Sequence, residues 1–289
     1  MKKQTIQGYI FVVLSAVIFG LMPLMAKFIY AEGVTPLSLV LIRNCFAVVI
    51  IFFFTKMSGV SLKVPLRIIP QIAVIGLMGS CVTSFLLYCS YNYIPSGAAT
   101  VLHFIYPAVV VLGEIVFFKS GVKKTHIISV IMCIAGIAMF YNPESSLNLT
   151  GSVLAISSGI TYSIYILALS SFKHKHIPAL IFNLYSSVAT TVVMFPLCAF
   201  TDNLAFPVTF TGWGLALLFA FALGFGAVVL FQKGTFMIGG SRASVLSTFE
   251  PITSIVAGVI IFGEPFSVFT VIGSVLVIVA GVIIAKSDK

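Results

Sequence analysis

Two stretches, Ser96-GAATVLHFIYPAVVVLGEIVF-Phe118 and Gly240-SRASVLSTFEPITSIVAGVII-Phe262, repeat one pattern. At a spacing of 144 residues, Ala99, Val101, Leu102, Pro107 and Phe118 fall on Ala243, Val245, Leu246, Pro251 and Phe262. Each stretch is long enough to cross a bilayer, which takes about 20 mostly apolar residues, and each carries a proline at its centre. Proline has no N–H for the carbonyl four residues earlier, and its ring pushes that carbonyl aside. The carbonyls so freed are those of His103 and Ser247, which are partners in the repeat. In hydrocarbon an unpaired carbonyl costs several kcal/mol and needs a neighbouring helix, a water-lined cavity or a bound solute. Matching interrupted segments in the two halves of a chain point to the midplane site of a transporter. The alternative is a pair of packing kinks closed by neighbouring side chains.

Outward from these stretches, composition sets the class. The 289 residues are 60% hydrophobic and only 8% charged, against a charged fraction of roughly 25% in water-soluble domains. Ten helical spans are expected, at about 8–31, 36–57, 68–91, 96–118, 125–141, 150–171, 178–200, 211–235, 242–262 and 268–285. Their connections are too short for a catalytic or nucleotide-binding domain. No Gly-x-x-x-x-Gly-Lys-Ser/Thr occurs, so energy for work has to come from gradients. The first span is too long for the core of a cleaved signal and is expected to stay as a transmembrane helix. Cys45, Cys81, Cys89, Cys133 and Cys198 all lie inside apolar spans without metal-type spacing and read as small packing residues. No cofactor or metal is implied.

The net charge of +9 would suggest nucleic acid in a soluble protein, but here its placement gives orientation instead. Alternate connections together with the two termini hold 14 of the 16 Lys and Arg, leaving Lys27 and Arg43. By the positive-inside rule that face is the cytoplasm, with both termini in it, and the membrane is the cell membrane. The connection with Lys119, Lys123 and Lys124 corresponds by repeat to the outward one with Glu264, so the halves are inverted. Five spans per half, an odd number, demand the same. The repeat continues in Thr125-HIISVIMCIA-Gly136 over Thr270-VIGSVLVIVA-Gly281, and more weakly in Gly8 over Gly151 and Pro36 near Pro178. The fold class is therefore an all-α polytopic membrane protein. Its ten transmembrane helices form two inverted five-helix repeats, 1–145 and 146–289, around a central cavity.

Candidate site residues follow from depth and chemistry. Glu250 stands beside Pro251 near the centre of its span, where a charge costs about 2.5–3.5 kcal/mol. It should be protonated, paired or facing water, and it is the candidate for proton coupling. Ser247, Glu250 and Ser254 share a helical face. Arg43, also deep in the membrane, can clamp a substrate carboxylate bidentately or neutralise Glu250. His103 lies one turn before Pro107 and can carry a proton or pack through hydrogen bonds. Tyr106, Tyr162, Tyr165 and Phe249 are deep enough to line a cavity and hold a cationic group on their faces. Thr83 and Ser84, with Ser80, face the partner region Gly224 and Gly226, as close helix contact or as solute ligands. Glu114, Lys27, Lys233 and Arg242 read as interface groups, and Tyr9, Tyr30, Tyr91, Tyr93, Tyr141 and Trp213 as an interfacial aromatic belt.

Two five-span halves, each with a proline-centred fourth span, Glu250-Pro251, the Phe262-Gly263-Glu264-Pro265 turn and a glycine-containing last span resemble the EamA branch of the drug/metabolite transporter superfamily. The resemblance covers essentially the whole chain, although the first-half turn reads Phe118-Lys119-Ser120-Gly121. It implies secondary transport of small metabolites through a central cavity, commonly as export and without catalysis, and fixes no substrate; the leading reading of the residues is a small polar solute, an amino acid or related compound, moved outward by alternating access. The partners expected are the substrate, the lipid bilayer and, as a candidate coupling ion, the proton; the sequence leaves the oligomeric state open and is compatible with a monomer. Rival readings are passage of organic cations such as quaternary amines, translocation of a lipid-linked sugar and, from another class, an intramembrane enzyme or receptor. The four histidines form no intramembrane metal set with acids, which disfavours the enzyme.

Overall fold

The structure, a computed structural model, describes residues 2–118, 124–139, 148–174, 176–247, 249–262 and 268–287. Helices follow in the order α1 Lys2–Gly20, α2 Met22–Ala31, α3 Pro36–Met57 and α4 Ile69–Gly76. A π-helical segment, Leu77–Thr83, joins α4 to α5 Ser84–Ser90; then come α6 Ser96–His103, α7 Tyr106–Phe118 and α8 Lys124–Met139. The second half has α9 Leu149–Ser170, α10 Ala179–Phe200 and α11 Phe210–Phe219. A second π segment, Ala220–Ala227, leads to α12 Val228–Ile238, followed by α13 Gly240–Leu246, α14 Phe249–Phe262 and α15 Val268–Ser287.

Among the described residues, eight helical stretches are long and apolar enough to span a membrane, the first Thr5–Ala31 and the last Arg242–Ile261. They coincide with eight of the ten expected spans. A ninth expected span contains the shorter apolar helix Ile127–Gly136, within α8, which packs along α15. Lys119, Lys123, Tyr141, Glu144, Lys175 and Glu264 lie outside the described residues.

The proline argument holds at the element level. The fourth expected span breaks at Phe104 and Ile105, between α6 and α7, and the ninth breaks between α13 and α14. Each break falls just before its proline, as loss of the i−4 bond dictates. The Ser247 carbonyl takes the Glu250 N–H at 2.9 Å, and Phe104 N–H closes on Thr100 and Val101. A third break, between α1 and α2 at Leu21, has the same cause in Pro23, near the start of α2. Pro196 sits near the end of α10 without interrupting it.

The exterior is apolar, and polar groups are buried within an otherwise apolar core. Val116, Phe117, Ile131 and Ile260 point outward, while Ser15, Thr55, Ser158, Ser163, Asn183 and Thr190 are buried. An apolar exterior of that extent fits lipid as the surrounding solvent. Ser15 Oγ gives its proton to the Ala227 carbonyl of a neighbouring helix at 2.8 Å and Thr190 Oγ1 to Ser186 of its own at 3.0 Å, whereas Thr55 Oγ1 has no partner. Tyr9 and Tyr93 are exposed and Trp213 stacks on Phe206, as an interfacial belt requires. Tyr91 is buried and Tyr30 donates inward to the Tyr88 carbonyl, so these two are packing residues instead.

Contacts between the halves are reciprocal. A Cβ on Gly8 would meet Ile238 and Met237; a Cβ on Gly151 would meet Tyr93 and Ile94. Each pair maps onto the other at 143 or 144 residues. The π segments also correspond at that spacing, Leu77 to Ala220 and Thr83 to Ala227.

Candidate functional site

Where α1, α3, α9, α12, the first π segment and the two broken helices converge, they enclose a cavity of about 50 Å³. At ~10–15 Å³ per water it has room for a few waters. The broken helix α6 ends on His103, which lines the cavity from the first half, and α14 begins on Phe249-Glu250, with Glu250 lining it from the second. Arg43, Thr83, Ser84, Tyr162 and Tyr165 complete the expected residues that the structure brings together there. Arg43, His103 and Glu250 are only 3%, 3% and 4% exposed.

Arg43 donates Nη1 to the Tyr88 hydroxyl at 2.8 Å and Nη2 to the Ser80 carbonyl at 2.9 Å, while its Nε has no partner. The Ser80 carbonyl is available because a π segment pairs i with i+5 and leaves a carbonyl unpaired. In the second half, Asn183 donates to the Gly224 carbonyl at 2.7 Å, and Gly224 lies 144 residues after Ser80. Arg43 and Glu250 form no ion pair with each other among the described residues.

His103 is fixed from α9. Its Nδ1 lies 2.7 Å from Ser158 Oγ, and Ser158 Oγ lies 2.6 Å from the Ala155 carbonyl. Gly159, the next residue, lets α9 come against the His103 backbone carbonyl freed by Pro107. Rings of Tyr106 and Tyr162 flank the imidazole at 5.3 and 5.4 Å. Tyr162 also stacks on Tyr165 at 5.6 Å and lies 5.8 Å from Phe231, giving the cavity an aromatic wall. Gln232 holds the Tyr165 hydroxyl at 3.2 Å.

Three expected residues are not at the cavity wall. Tyr106 is fully buried behind His103. Ser247 gives its hydroxyl to the Ala243 carbonyl at 3.0 Å within its own helix. Phe249 is 42% exposed and turned outward, because the break before α14 resets the helical phase. The π segment does not pack on Gly224 and Gly226 as expected: Gly79 meets Tyr165, Thr83 Oγ1 lies 2.9 Å from Thr161 Oγ1, and Gly224 meets Arg43 and Ala47. The reason is a crossed arrangement in which the third span lies on α9 and α10 while the second π segment lies on α3.

The lining also contains Phe19, Met22, Gly79, Ser80, Leu87, Val228 and Phe231. Most of these have a partner in the wall. Phe19 and Tyr162, Met22 and Tyr165, Ser84 and Val228, and Leu87 and Phe231 stand 143 or 144 residues apart. The frame of the site thus repeats across the two halves while its chemistry does not. The repeat spacing itself was the signal for Phe19, Met22 and Val228, which carry no polar group to mark them.

The EamA-like transporter family matches residues 6–142 and again 149–286. An uncharacterized transporter of Archaeoglobus fulgidus is 24% identical over 271 residues, covering 90% of each chain. Another, from Clostridium kluyveri, is 22% identical and covers 100% of this chain and 95% of its own. A protein crystal structure superposes with a TM-score of 0.72 at 18% identity, over 100% of this chain and 99% of its own, and so shares the fold.

Proposed function

From the premise that the chain belongs to the EamA-like transporter family, within the drug/metabolite transporter superfamily, we propose that it exports a small polar metabolite, an amino acid or a related compound. It does so across the cell membrane by alternating access, with Glu250 carrying the coupling proton. The observation that carries this reading is two buried groups of opposite charge, Arg43 and Glu250, lining one cavity without pairing. A lone ion in a low-dielectric interior costs several kcal/mol unless it is paired and hydrogen-bonded. A zwitterion supplies both counter-charges at once: its carboxylate meets the guanidinium and its ammonium meets the carboxylate. Loss of the Glu250 proton on arrival of the ammonium would couple flux to a proton gradient.

Inversion of the halves supports alternating access, because a site framed by repeated walls can open to either face by the same motion. Support for inversion comes from the alternating Lys and Arg placement, the twofold family match and the reciprocal glycine contacts. The wall of Tyr162, Tyr165 and Phe231 favours a second reading, passage of an organic cation, which gives Arg43 nothing to bind. Counterflow in proteoliposomes separates the two. The expectation is saturable exchange of amino acids, with proton-driven flux falling to background in Glu250→Gln. Undiminished proton-driven flux in that variant removes the coupling role.

A further inference from the structure

Resting on the transporter reading above, we propose that Ser158 fixes His103 as a bare hydrogen-bond acceptor at the cavity wall. The site then takes a cargo ammonium that still carries N–H bonds and rejects a fully methylated one. A hydroxyl has a single proton to give. Ser158 Oγ sits 2.6 Å from the Ala155 carbonyl oxygen, and two oxygens that close repel unless a proton lies between them. A carbonyl cannot supply that proton, so the serine does.

Ser158 therefore accepts from His103 across the 2.7 Å contact, and the imidazole proton is on Nδ1. In the neutral ring the other nitrogen, Nε2, then bears a lone pair. Ser158 is fully buried, so no solvent exchange relieves this arrangement. Gly159 packs against the His103 carbonyl and the Tyr106 and Tyr162 rings flank the imidazole, which keeps the ring from turning over. With the Nδ1 edge held by α9, His103 meets the cavity with the edge that carries Nε2.

Glu250 adds a carboxylate to the same cavity from the other half. Two acceptors are satisfied together by a group with at least two donors, and an ammonium bearing hydrogens is such a group. A trimethylammonium would suit the aromatic wall but leave Nε2 unanswered. The repeat partner of His103, Ser247, turns its hydroxyl back to Ala243, so this selectivity belongs to the first half alone.

The test uses the full chain in lipid, labelled with ¹⁵N-histidine; His103 is one of only four histidines. Nitrogen shifts should show a protonated Nδ1 and bare Nε2, changed in Ser158→Ala and kept in Ser158→Thr. An Nε2–H ring in the unmodified protein overturns the proposal. In proteoliposomes, the standard amino acids and their N-trimethyl betaines serve as probes. Each betaine should move at least about tenfold more slowly than its parent, the effect of losing one or more charged hydrogen bonds, and Ser158→Ala should narrow that gap. Equal rates in the unmodified protein overturn the selectivity while leaving the transport reading intact. Absence of flux for every probe removes the transport reading and this proposal with it.

Discussion

Arg43 is held in a way that lysine could not reproduce, because its two terminal nitrogens reach a phenol oxygen and a backbone carbonyl at once. Methionine at this position keeps much of the volume and removes the charge. Arg43→Met should still insert and fold, yet lose about 1.5–3 kcal/mol of affinity for a carboxylate-bearing cargo, the worth of hydrogen bonds to a charged group. Titration calorimetry against amino acids checks this; unchanged affinity would place the cargo carboxylate elsewhere. At this scale the sequence revealed depth better than direction. Arg43, His103, Glu250, Tyr162 and Tyr165 were legible because charged, titratable or phenolic groups at mid-membrane need a reason to be there. Phe249, beside Glu250, is turned away from the cavity, and its direction is not legible in the sequence because it depends on where the helix restarts after Ser247. Ser158, buried and ordinary in composition, gave no sign until its distance to His103 was known.

At the scale of elements, interruptions rather than helices build the site. Pro107 and Pro251 mark their breaks through a missing N–H and through each other, whereas Pro23 carries the same signal without a proline partner, Ile166 and Leu167 standing at the repeat spacing. The π segments had no such mark, since one extra residue in a helical turn changes neither composition nor hydrophobicity. Deleting Met78 should restore ordinary α-helical pairing through Leu77–Thr83, keep Ser84 and Leu87 close to their present direction, and take up the carbonyl that the π segment leaves for Arg43. The expected result is a protein that inserts normally but binds its cargo at least about tenfold more weakly. Helix approach can be tested separately. A methyl on Gly159 would strike the His103 carbonyl and Ile105, whereas one on Gly214 meets nothing within 4 Å. Gly159→Ala should destabilise the protein by about 1–3 kcal/mol, the usual cost of overpacking, and Gly214→Ala, which relieves a helix-interior glycine without a clash, should hold or raise the thermal midpoint. Equal melting of the two variants would mean that α6 and α9 are free to separate.

For the whole molecule, the even spread of hydrophobic residues and the alternation of basic connections made a multi-span membrane protein readable from composition and spacing. The crossed packing of each third span on the opposite half was not readable, because small residues such as Gly76, Gly79 and Gly224 permit close contact without naming the partner. Orientation has its own experiment. In a cysteine-free background, Lys123→Cys and Glu264→Cys should react with an impermeant thiol reagent from opposite faces of the membrane. Labelling from one common face would defeat the inverted arrangement. The paired wall positions carry a further consequence. Two copies of an unfused half would have offered any solute identical surroundings on both sides, suiting only a molecule with like ends. Joined in one polypeptide, Phe19 and Met22 could remain featureless while Tyr162 and Tyr165 gained hydroxyls, and Ser84 could stay polar opposite Val228. Walls that differ in this way would give the passage a front and a back, so that a molecule with unlike ends would pass in one defined attitude.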